Sequence, residues 1–402
     1  MFTPNLPRLA GLLAVLAPSA LFASGIRTGF KDADATAAGN AYAATADSPA
    51  AIYYNPAGLT QLDGSSFSAG AYTVQLQTDY TSPAGTGTDM KRDIHVLPEF
   101  YYAYAPHDAN YALGVGAYVP FGLSTSWAPN SSFNTIATDA SITDYGLAVV
   151  GAWKITPELS IGGGPVFHQI SSRLSRSIDT EPNDIFTFDG SNQAVSVNAG
   201  LRWQPDPKDA FGLSYQGNYT SNLTGTSTFT PLTGAVPASA EFTFPEVIIA
   251  GYSYRPTPDW NLEFDLEWTN WDRVNAIDIQ NASFNPSPAE ALLLNWRSGF
   301  NFDFGVTRQL GNGLHWSAGF TYAENSTPNS TYNPAVPDAN RELVGLGLGG
   351  RFAGCDLQLT LQYGFADTRT VSGVPVNFAD QSPDGTYSSR TYAIAFSLSH
   401  RF

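Results

Sequence analysis

The chain has 402 residues, of which 35 are acidic and 19 are basic, so its formal net charge is −16. Such an acidic chain argues against nucleic acid as a partner. Charged residues make up only 13% of the sequence and aromatic residues another 13%, with 37 glycines, which predicts strands that border an apolar medium. The single cysteine, Cys355, excludes an internal disulfide and a CxxC motif.

The N-terminus has the pattern of a secretory signal. Arg8 precedes an uncharged stretch rich in leucine and alanine that ends at Ala23. We expect residues 1–23 to be a signal peptide cleaved near Ala23, with Ala20 as the alternative site; a buried N-terminal helix of a soluble protein is the competing interpretation. Later apolar runs are far shorter than the roughly 18–20 residues of a membrane-spanning helix, which argues against a helical membrane protein.

Residues 24–64 are rich in alanine and lack the alternation of a strand. We predict short helices and turns in this segment. The clearest lies between Ser48 and Pro56, because Pro49 suits the first turn of a helix and Pro56 disfavours helical backbone at the residue before it.

From residue 65 onward, polar and apolar residues alternate with a period of two, which predicts β-strands. From Tyr392 to Phe402 bulky apolar residues alternate with small or polar ones, and from Trp260 to Trp268 every other residue is polar or acidic. We find fourteen such segments, the sixth, eighth and tenth starting near Gln193, Ala240 and Leu292. Short turns alternate with long connections, among them 177–190 and 222–239, as in an outer-membrane barrel with short periplasmic turns and long extracellular loops.

These patterns predict an all-β transmembrane fold, a 14-stranded antiparallel outer-membrane β-barrel. A soluble β-sandwich is the alternative, but it would bury its bulky face and expose charge on the other, whereas here the inner face carries small and polar residues. The aromatic residue Phe402, at the end of the last strand, resembles the terminal signature by which the barrel assembly machinery recognises outer-membrane proteins.

Two stretches resemble the FadL family of outer-membrane transporters. One runs from Thr36 to Leu59 and continues into a strand, and the other runs from Gly114 to Trp127. This family transports long-chain fatty acids and has a TodX-like branch for aromatic hydrocarbons. The resemblance is specific over roughly residues 25–127 and at the C-terminus, and it implies a 14-stranded barrel whose lumen is plugged by a mostly helical N-terminal hatch. We therefore divide the chain into a signal peptide (1–23), a hatch (24–64) and a barrel (65–402).

Two motifs of the resemblance imply a route through the protein. Asn55, Pro56 and Ala57 match the hatch motif, and we expect this segment to shift and open a path; an isolated Asn-Pro would only end a helix. A second set is predicted to break the third strand and leave a lateral gap, because proline cannot donate to a strand ladder and glycine weakens it. The alternative is a strand end outside the membrane. This set is Val119, Pro120, Phe121 and Gly122.

Two further groups are candidate ligand contacts. Arg173 and Arg176 end the fifth strand, where the resemblance implies basic residues that meet a fatty acid carboxylate. The family is more basic here, so pairing with acidic loops or lipopolysaccharide phosphates is the alternative. Hydrophobic residues in two long, otherwise polar connections predict an outward-facing groove for an apolar ligand. They are Ile185, Phe186, Phe188, Phe229, Leu232 and Val236.

We therefore predict passive uptake of hydrophobic compounds across the outer membrane of a Gram-negative bacterium. Long-chain fatty acids are the first substrate class and aromatic or alkane hydrocarbons the alternative, with capture at the loops, rearrangement of the hatch and lateral release. An open porin for polar solutes and a barrel serving as an enzyme or adhesin are the rival classes. The five histidines lack metal-binding spacing and GxSxG is absent, so we expect no metal, cofactor or catalytic residue. Outer-membrane lipid and lipopolysaccharide are the expected surroundings of a monomer.

Overall fold

The computed structural model describes residues 25–179, 184–230, 233–281, 292–377 and 379–402. The predicted signal peptide lies outside these residues. Within them, fourteen long strands form one closed antiparallel sheet, so the predicted barrel is confirmed. The strands are β1 (Gly64–Thr81), β2 (Ile94–Ala105), β3 (Tyr111–Ser126), β4 (Asp139–Lys154), β5 (Leu159–Ser177), β6 (Ile185–Trp203), β7 (Asp209–Gln216 and Tyr219–Thr230), β8 (Thr233–Phe244 and Val247–Tyr254), β9 (Trp260–Thr269), β10 (Gly299–Gly311), β11 (Leu314–Ala323), β12 (Arg341–Phe352), β13 (Cys355–Ala366) and β14 (Gly385–Arg401).

The barrel closes where β1 pairs with β14, in a register that runs from Ser66 opposite Arg401 to Thr81 opposite Thr386. Its outer surface is apolar. Along β14 the outward-facing Ile394 is 51% exposed, whereas its neighbour Ala395 faces the lumen and is 3% exposed. A sheet that leaves its bulky face outside requires an apolar medium around it, and a soluble sandwich would have buried that face.

The residues before β1 fill the lumen as a hatch of short helices. These are α1 (Ala33–Ala37), α2 (Ala51–Tyr54) and a 3₁₀ helix (Pro56–Gln61). The Asp32 side chain caps α1 by accepting hydrogen bonds from two backbone N–H groups. Asn55 ends α2 in extended backbone and its side chain caps the 3₁₀ helix, so the helix predicted before Pro56 is confined to four residues. In the described part of the chain, no helix is long and apolar enough to cross a membrane.

Glycines on the inner wall let the hatch backbone lie directly against the barrel. A Cβ atom added at Gly319 would lie 1.9 Å from the Gly39 nitrogen, and one added at Gly212 would lie 2.1 Å from the Ala43 oxygen. No side chain fits at such distances, so these positions set how closely the plug and wall approach. The same close approach to the hatch occurs at further wall glycines, namely Gly162, Gly200, Gly305 and Gly345.

Three predicted strand starts are wrong. β6 starts at Ile185 and β8 at Thr233, about eight and seven residues before the predicted positions, and β10 starts at Gly299 rather than near Leu292. Much of the connections predicted at 177–190 and 222–239 is therefore strand. These extensions keep the period of two but invert its faces, with apolar residues inside and polar ones outside, as expected where the outer surface meets water rather than lipid.

Candidate functional site

Two carboxylates on β9 hold the hatch backbone in place. Four consecutive N–H groups, from Tyr42 to Thr45, donate hydrogen bonds to them. The first two donate to Oδ2 of Asp265 at 2.9 and 2.8 Å, and the last two donate to Oε1 of Glu263 at 2.7 and 3.1 Å. The alternating acidic residues of β9 therefore anchor the plug, a role that the alternation alone does not reveal.

The hatch motif forms a second anchor. Asn55 is fully buried, and its Nδ2 donates to the carbonyl oxygens of Ala43 at 2.7 Å and of Leu201, on β6, at 3.0 Å. Its Oδ1 accepts a hydrogen bond from the Ala57 N–H at 3.2 Å. Asn55 therefore ties the hatch to the wall, while Pro56 begins the next helix.

The third strand departs from its neighbour halfway along. Pairing between β2 and β3 ends with Phe100 opposite Ala117, and the register of β3 against β4 shifts between Tyr118 and Phe121. The bulge contains Val119 and Pro120 of the predicted set, and four successive residues from Tyr118 are buried instead of alternating. Here β3 bends inward and separates from β2.

The first described residues of the hatch take the place of β2 along the bent part of β3. The Thr28 N–H donates to the Pro120 oxygen and the Gly122 N–H donates to the Ile26 oxygen, both at 3.0 Å. Backbone groups that would otherwise be unpaired at a break in the wall are thereby satisfied. The N-terminal segment, residues 25–30, consequently lines the break from the inside.

An inner cavity of about 180 Å³ lies beside this break. Leu97 from β2 and Val119 and Gly122 from β3 line it, so it borders both edges of the separation. Much of the remaining lining is apolar, with Phe30 from the N-terminal segment and Leu343 from β12. Such a cavity suits a small apolar molecule or part of a larger one.

Arg27, a charged residue of the inner cavity, is paired with a carboxylate of the barrel wall. Nη2 of Arg27 lies 3.0 Å from Oε2 of Glu267 on β9, and neither side chain is more than 2% exposed. Asp303 on β10 and Arg341 on β12 also line the cavity. None of these four residues was predicted, because their proximity depends on strands and a hatch that are far apart in sequence.

An outer cavity of about 80 Å³ lies toward the end of the barrel that carries the long connections. Phe188, Leu223, Phe242 and Trp296 are among its lining residues. Leu123 lines both cavities. Ile26 lines the outer cavity and its neighbour Arg27 lines the inner one, so the N-terminal segment separates the two.

The predicted ligand groove is only partly assembled around the outer cavity. Phe188 lines it, and Phe186 and Phe229 pack together behind, with ring centroids 4.9 Å apart. We call these three the phenylalanine cluster. Its members are 2–5% exposed on strand extensions, so they face the lumen rather than outward as predicted. Ile185 and Val236 are half-buried, and Leu232 lies outside the described residues.

Neither predicted arginine is arranged as a carboxylate clamp. Nη1 of Arg173 lies 3.2 Å from Oδ2 of Asp189, with both side chains at least half exposed, although Arg173 also lines the outer cavity. Nη1 of Arg176 donates to the Thr135 carbonyl at 3.2 Å and its guanidinium lies 5.8 Å from the centre of the Phe186 ring. Both make contacts with the protein itself.

The connection between β11 and β12 folds inward over the outer cavity. Oγ1 of Thr125 and Nε1 of Trp127, both at the end of β3 or just after it, donate to carbonyl oxygens of this connection at 3.0 and 2.9 Å. Arg369 donates to two more of its carbonyls and stacks over the Tyr332 ring. Burial raises the pKa of Asp338 in this connection, and the nearby Arg341 and Arg369 guanidiniums oppose that rise.

A buried polar cluster supports the bent part of β3. Nδ1 of His168 lies 2.9 Å from Oδ2 of Asp144 and Nε2 lies 2.8 Å from Oγ of Ser196, the order of groups in a Ser-His-Asp triad. The sequence could not reveal this arrangement, since it requires the register of three strands. The adjoining cavity of about 20 Å³ holds roughly one water molecule, so a hydrolysable substrate has no room. Asp144 on β4 lies directly opposite Phe121 in the sheet, so the cluster supports the bent part of β3.

Among the residues that the structure describes, no group of three or more His, Cys, Asp or Glu side chains could hold a metal ion.

Comparisons with known proteins agree with this architecture. The chain is 24% identical to the putative outer membrane protein NMB0088 of Neisseria meningitidis over 84% of this chain and 85% of that protein. It is 21% identical to the long-chain fatty acid transport protein of Escherichia coli O6:H1, over 77% and 80% of the two chains. Among solved structures, a Pseudomonas aeruginosa FadL homologue matches with a TM-score of 0.83 at 18% identity, covering 94% of this chain and 100% of that one.

A second solved structure, the Ralstonia pickettii toluene transporter TbuX, matches with a TM-score of 0.69 at 18% identity over 92% of this chain and 98% of that one. These structural matches concern the fold. The model of the outer membrane protein transport protein family (OMPP1/FadL/TodX) matches residues 14–402, nearly the whole sequence. The chain therefore belongs to the OMPP1/FadL/TodX family of outer membrane transport proteins.

Proposed function

We propose that this outer-membrane transporter of hydrophobic compounds works as a passive channel with lateral release. A ligand enters the outer cavity, passes the N-terminal segment into the inner cavity, and leaves through the separation between β2 and β3. The observation that carries the proposal is that this separation borders the inner cavity, with Leu97 and Gly122 on its two sides. The protein needs no energy source, since the ligand moves from water into lipid.

Lateral release is favoured by the ligand's own solubility. Transfer of each methylene from water into an apolar medium is favourable by about 0.8 kcal/mol, so a ligand gains by entering lipid instead of the periplasm. The N-terminal segment covers the separation from inside and would have to move. We propose that the hatch motif around Asn55 shifts with it, as the resemblance implied.

Two substrate classes follow from the relatives. One is named a long-chain fatty acid transport protein and another a toluene transporter, which supports fatty acids and aromatic hydrocarbons as candidates here. The contacts of Arg173 and Arg176 with Asp189 and Thr135 give no special support to a fatty acid carboxylate at the outer cavity. Alkanes remain a member of the hydrocarbon class.

We further propose that the chain has no catalytic activity and acts as a monomer surrounded by outer-membrane lipid and lipopolysaccharide. The strand that ends at Phe402 is proposed to engage the barrel assembly machinery. An open porin is disfavoured because the lumen is filled by a hatch anchored through Asp265, Glu263 and Asn55.

The test is uptake by a strain that lacks its own transporters of this family, with and without the chain. Labelled hexadecanoate and toluene are the hydrophobic probes and a labelled disaccharide is the polar one. We expect the chain to increase uptake of at least one hydrophobic probe and to leave disaccharide uptake unchanged. Removal of residues 24–64 should then raise ionic conductance. Increased disaccharide uptake by the intact chain, without any hydrophobic uptake, would establish a porin instead.

A further inference from the structure

The connection between β11 and β12 forms a closed loop over the outer cavity. Its two ends are joined, because the Ser326 N–H donates to Oδ2 of Asp338 at 2.8 Å. Just outside them, the Asn325 N–H donates to Oδ1 of Asn340 at 3.0 Å. We call residues 326–338 the lid. Loops of this length whose ends meet are compact units that frequently carry function.

The inner side of the lid is part of the wall of the outer cavity. Three lid residues line this cavity, namely Asn333, Ala335 and Val336. Barrel strands supply much of the remaining lining, including Phe188 on β6 and Phe242 on β8. The width of the cavity therefore depends on where the lid lies relative to the strands.

One arginine outside the lid holds it by several hydrogen bonds. Nη1 of Arg369 donates to the Asp338 carbonyl and Nη2 donates to the Thr327 carbonyl, both at 2.6 Å. Nη2 and Nε also donate to Oδ1 of Asn329, at 2.7 and 3.1 Å. The guanidinium lies 4.7 Å from the centre of the Tyr332 ring. A planar fork of donors fixes several acceptors at once, which the single ammonium group of a lysine does not.

The barrel in turn fixes the position of Arg369. This residue begins a short strand, Arg369–Val371, which pairs with β14 and places Arg369 opposite Tyr387. Thr125 and Trp127, at the end of β3, donate to lid carbonyls at 3.0 and 2.9 Å. The lid is thus attached to the barrel through two separate sets of hydrogen bonds.

We propose that the lid is the wall of the outer cavity that selects ligands by their width, and that Arg369 is the positioning residue of this wall. The inference rests on the proposed transport function and specifies its substrates as narrow apolar molecules, such as singly substituted rings and unbranched chains. A wider ligand would have to push the lid away and break the hydrogen bonds of Arg369, whereas a narrow one leaves them intact.

Uptake kinetics with ligands matched in chemistry and different in width test this proposal. The cells lack other transporters of the family and make the full-length chain. One pair of labelled ligands is toluene and mesitylene, and the other is hexadecanoate and its methyl-branched relative phytanate. For each pair that is taken up, we expect the narrow member to be favoured at limiting concentration by about tenfold, the lower end of the discrimination that a hydrophobic pocket achieves for one methylene.

Arg369→Ala should release the lid. We expect the narrow ligand to need a higher concentration for half-maximal uptake, and the preference over its wider partner to fall several-fold. The maximal rate should stay unchanged, because the hatch and the separation between β2 and β3 are not altered. The matched control is Arg273→Ala, in the connection after β9. Arg273 is bonded to Glu246 and is not among the described lining residues of either cavity, so wild-type kinetics are expected.

Variants at Val336 change the lid wall without removing any hydrogen bond of Arg369. Val336→Ala should widen the cavity and weaken the preference for the narrow ligand, whereas Val336→Phe should narrow it and exclude the wider ligand more strongly. Heat-modifiable migration shows which variants form a folded barrel. If Arg369→Ala does not fold, the two Val336 variants decide the outcome.

Failure of this inference differs from failure of transport. Equal uptake of narrow and wide ligands by the intact chain would overturn selection by the lid while transport stands. The same holds if the preference is unchanged in the folded variants, or if only the maximal rate changes. If no ligand of either pair is taken up by cells with the intact chain, the proposed function itself fails.

Discussion

Asp265→Ala should loosen the hatch while leaving the barrel closed. The substitution removes the acceptor of two buried backbone N–H groups, Tyr42 at 2.9 Å and Ala43 at 2.8 Å. Each buried donor left unsatisfied costs about 1–3 kcal/mol, so the anchoring of the hatch should weaken by roughly 2–6 kcal/mol. Relief of repulsion from the neighbouring Glu263 carboxyl offsets part of this. Even the lower figure would raise the population of the displaced hatch about 30-fold.

Single-channel conductance in planar bilayers is the assay, applied to barrels that show heat-modifiable migration. We expect Asp265→Ala to give frequent open events. Asp265→Asn is the matched control, because an amide oxygen can still accept both hydrogen bonds and should keep the channel closed. Equal conductance in the two folded variants would refute the role of this carboxylate as a hatch anchor.

Three further predictions concern ligand capture, the hatch motif and the glycines of the inner barrel wall. Replacing the phenylalanine cluster by serine should raise the substrate concentration needed for half-maximal uptake, because apolar area worth about 25 cal/mol per Å² is lost; unchanged uptake at limiting substrate would count against it. Asn55→Ala should alter transport but not assembly, at a cost of about 1–3 kcal/mol for each buried group left unpaired; loss of the folded band in electrophoresis would show a purely structural role. Gly319→Ala should displace the hatch and increase conductance, because its Cβ atom would lie 1.9 Å from the nitrogen of Gly39. The control Gly151→Ala, whose Cβ atom would lie 3.7 Å from its nearest neighbour, should not change conductance. Equal conductance in the two variants would contradict close packing of the hatch against the wall.

The strand number could be predicted because lipid and lumen impose opposite demands on alternate residues. In β14 this contrast runs from Tyr392 to the end of the strand, and the bulky residues do face outward. The same rule failed for Phe186 and Phe188, which lie inside an extension whose outer face meets water. The period of two predicts a strand, but whether lipid or water meets the outer surface decides which face of the strand is apolar.

The contacts inside the barrel could not be predicted from the sequence for a different reason. The acidic alternation of β9 was visible, yet the partners of Asp265 are backbone N–H groups more than 200 residues away, which no side-chain pattern identifies. The ion pair of Arg27 with Glu267 likewise requires the path of the hatch through the lumen. The break in β3 was more accessible, because proline and glycine limit strand pairing locally.

The release route is tested most directly at Gly122. This residue lines the inner cavity at the edge of the separation between β2 and β3. A Cβ atom added there would lie no closer than 3.7 Å to its neighbours. Gly122→Ala therefore fits as a control, and the side chain of Gly122→Arg can extend into the cavity without straining the wall. Two quantities are measured for each folded variant: ligand binding to the purified barrel and ligand uptake by cells. We expect Gly122→Arg still to bind ligand at the outer cavity, while uptake falls to the level of cells without the chain. Gly122→Ala should transport normally. Normal uptake by a folded Gly122→Arg barrel would contradict lateral release and direct the ligand past the hatch into the periplasm.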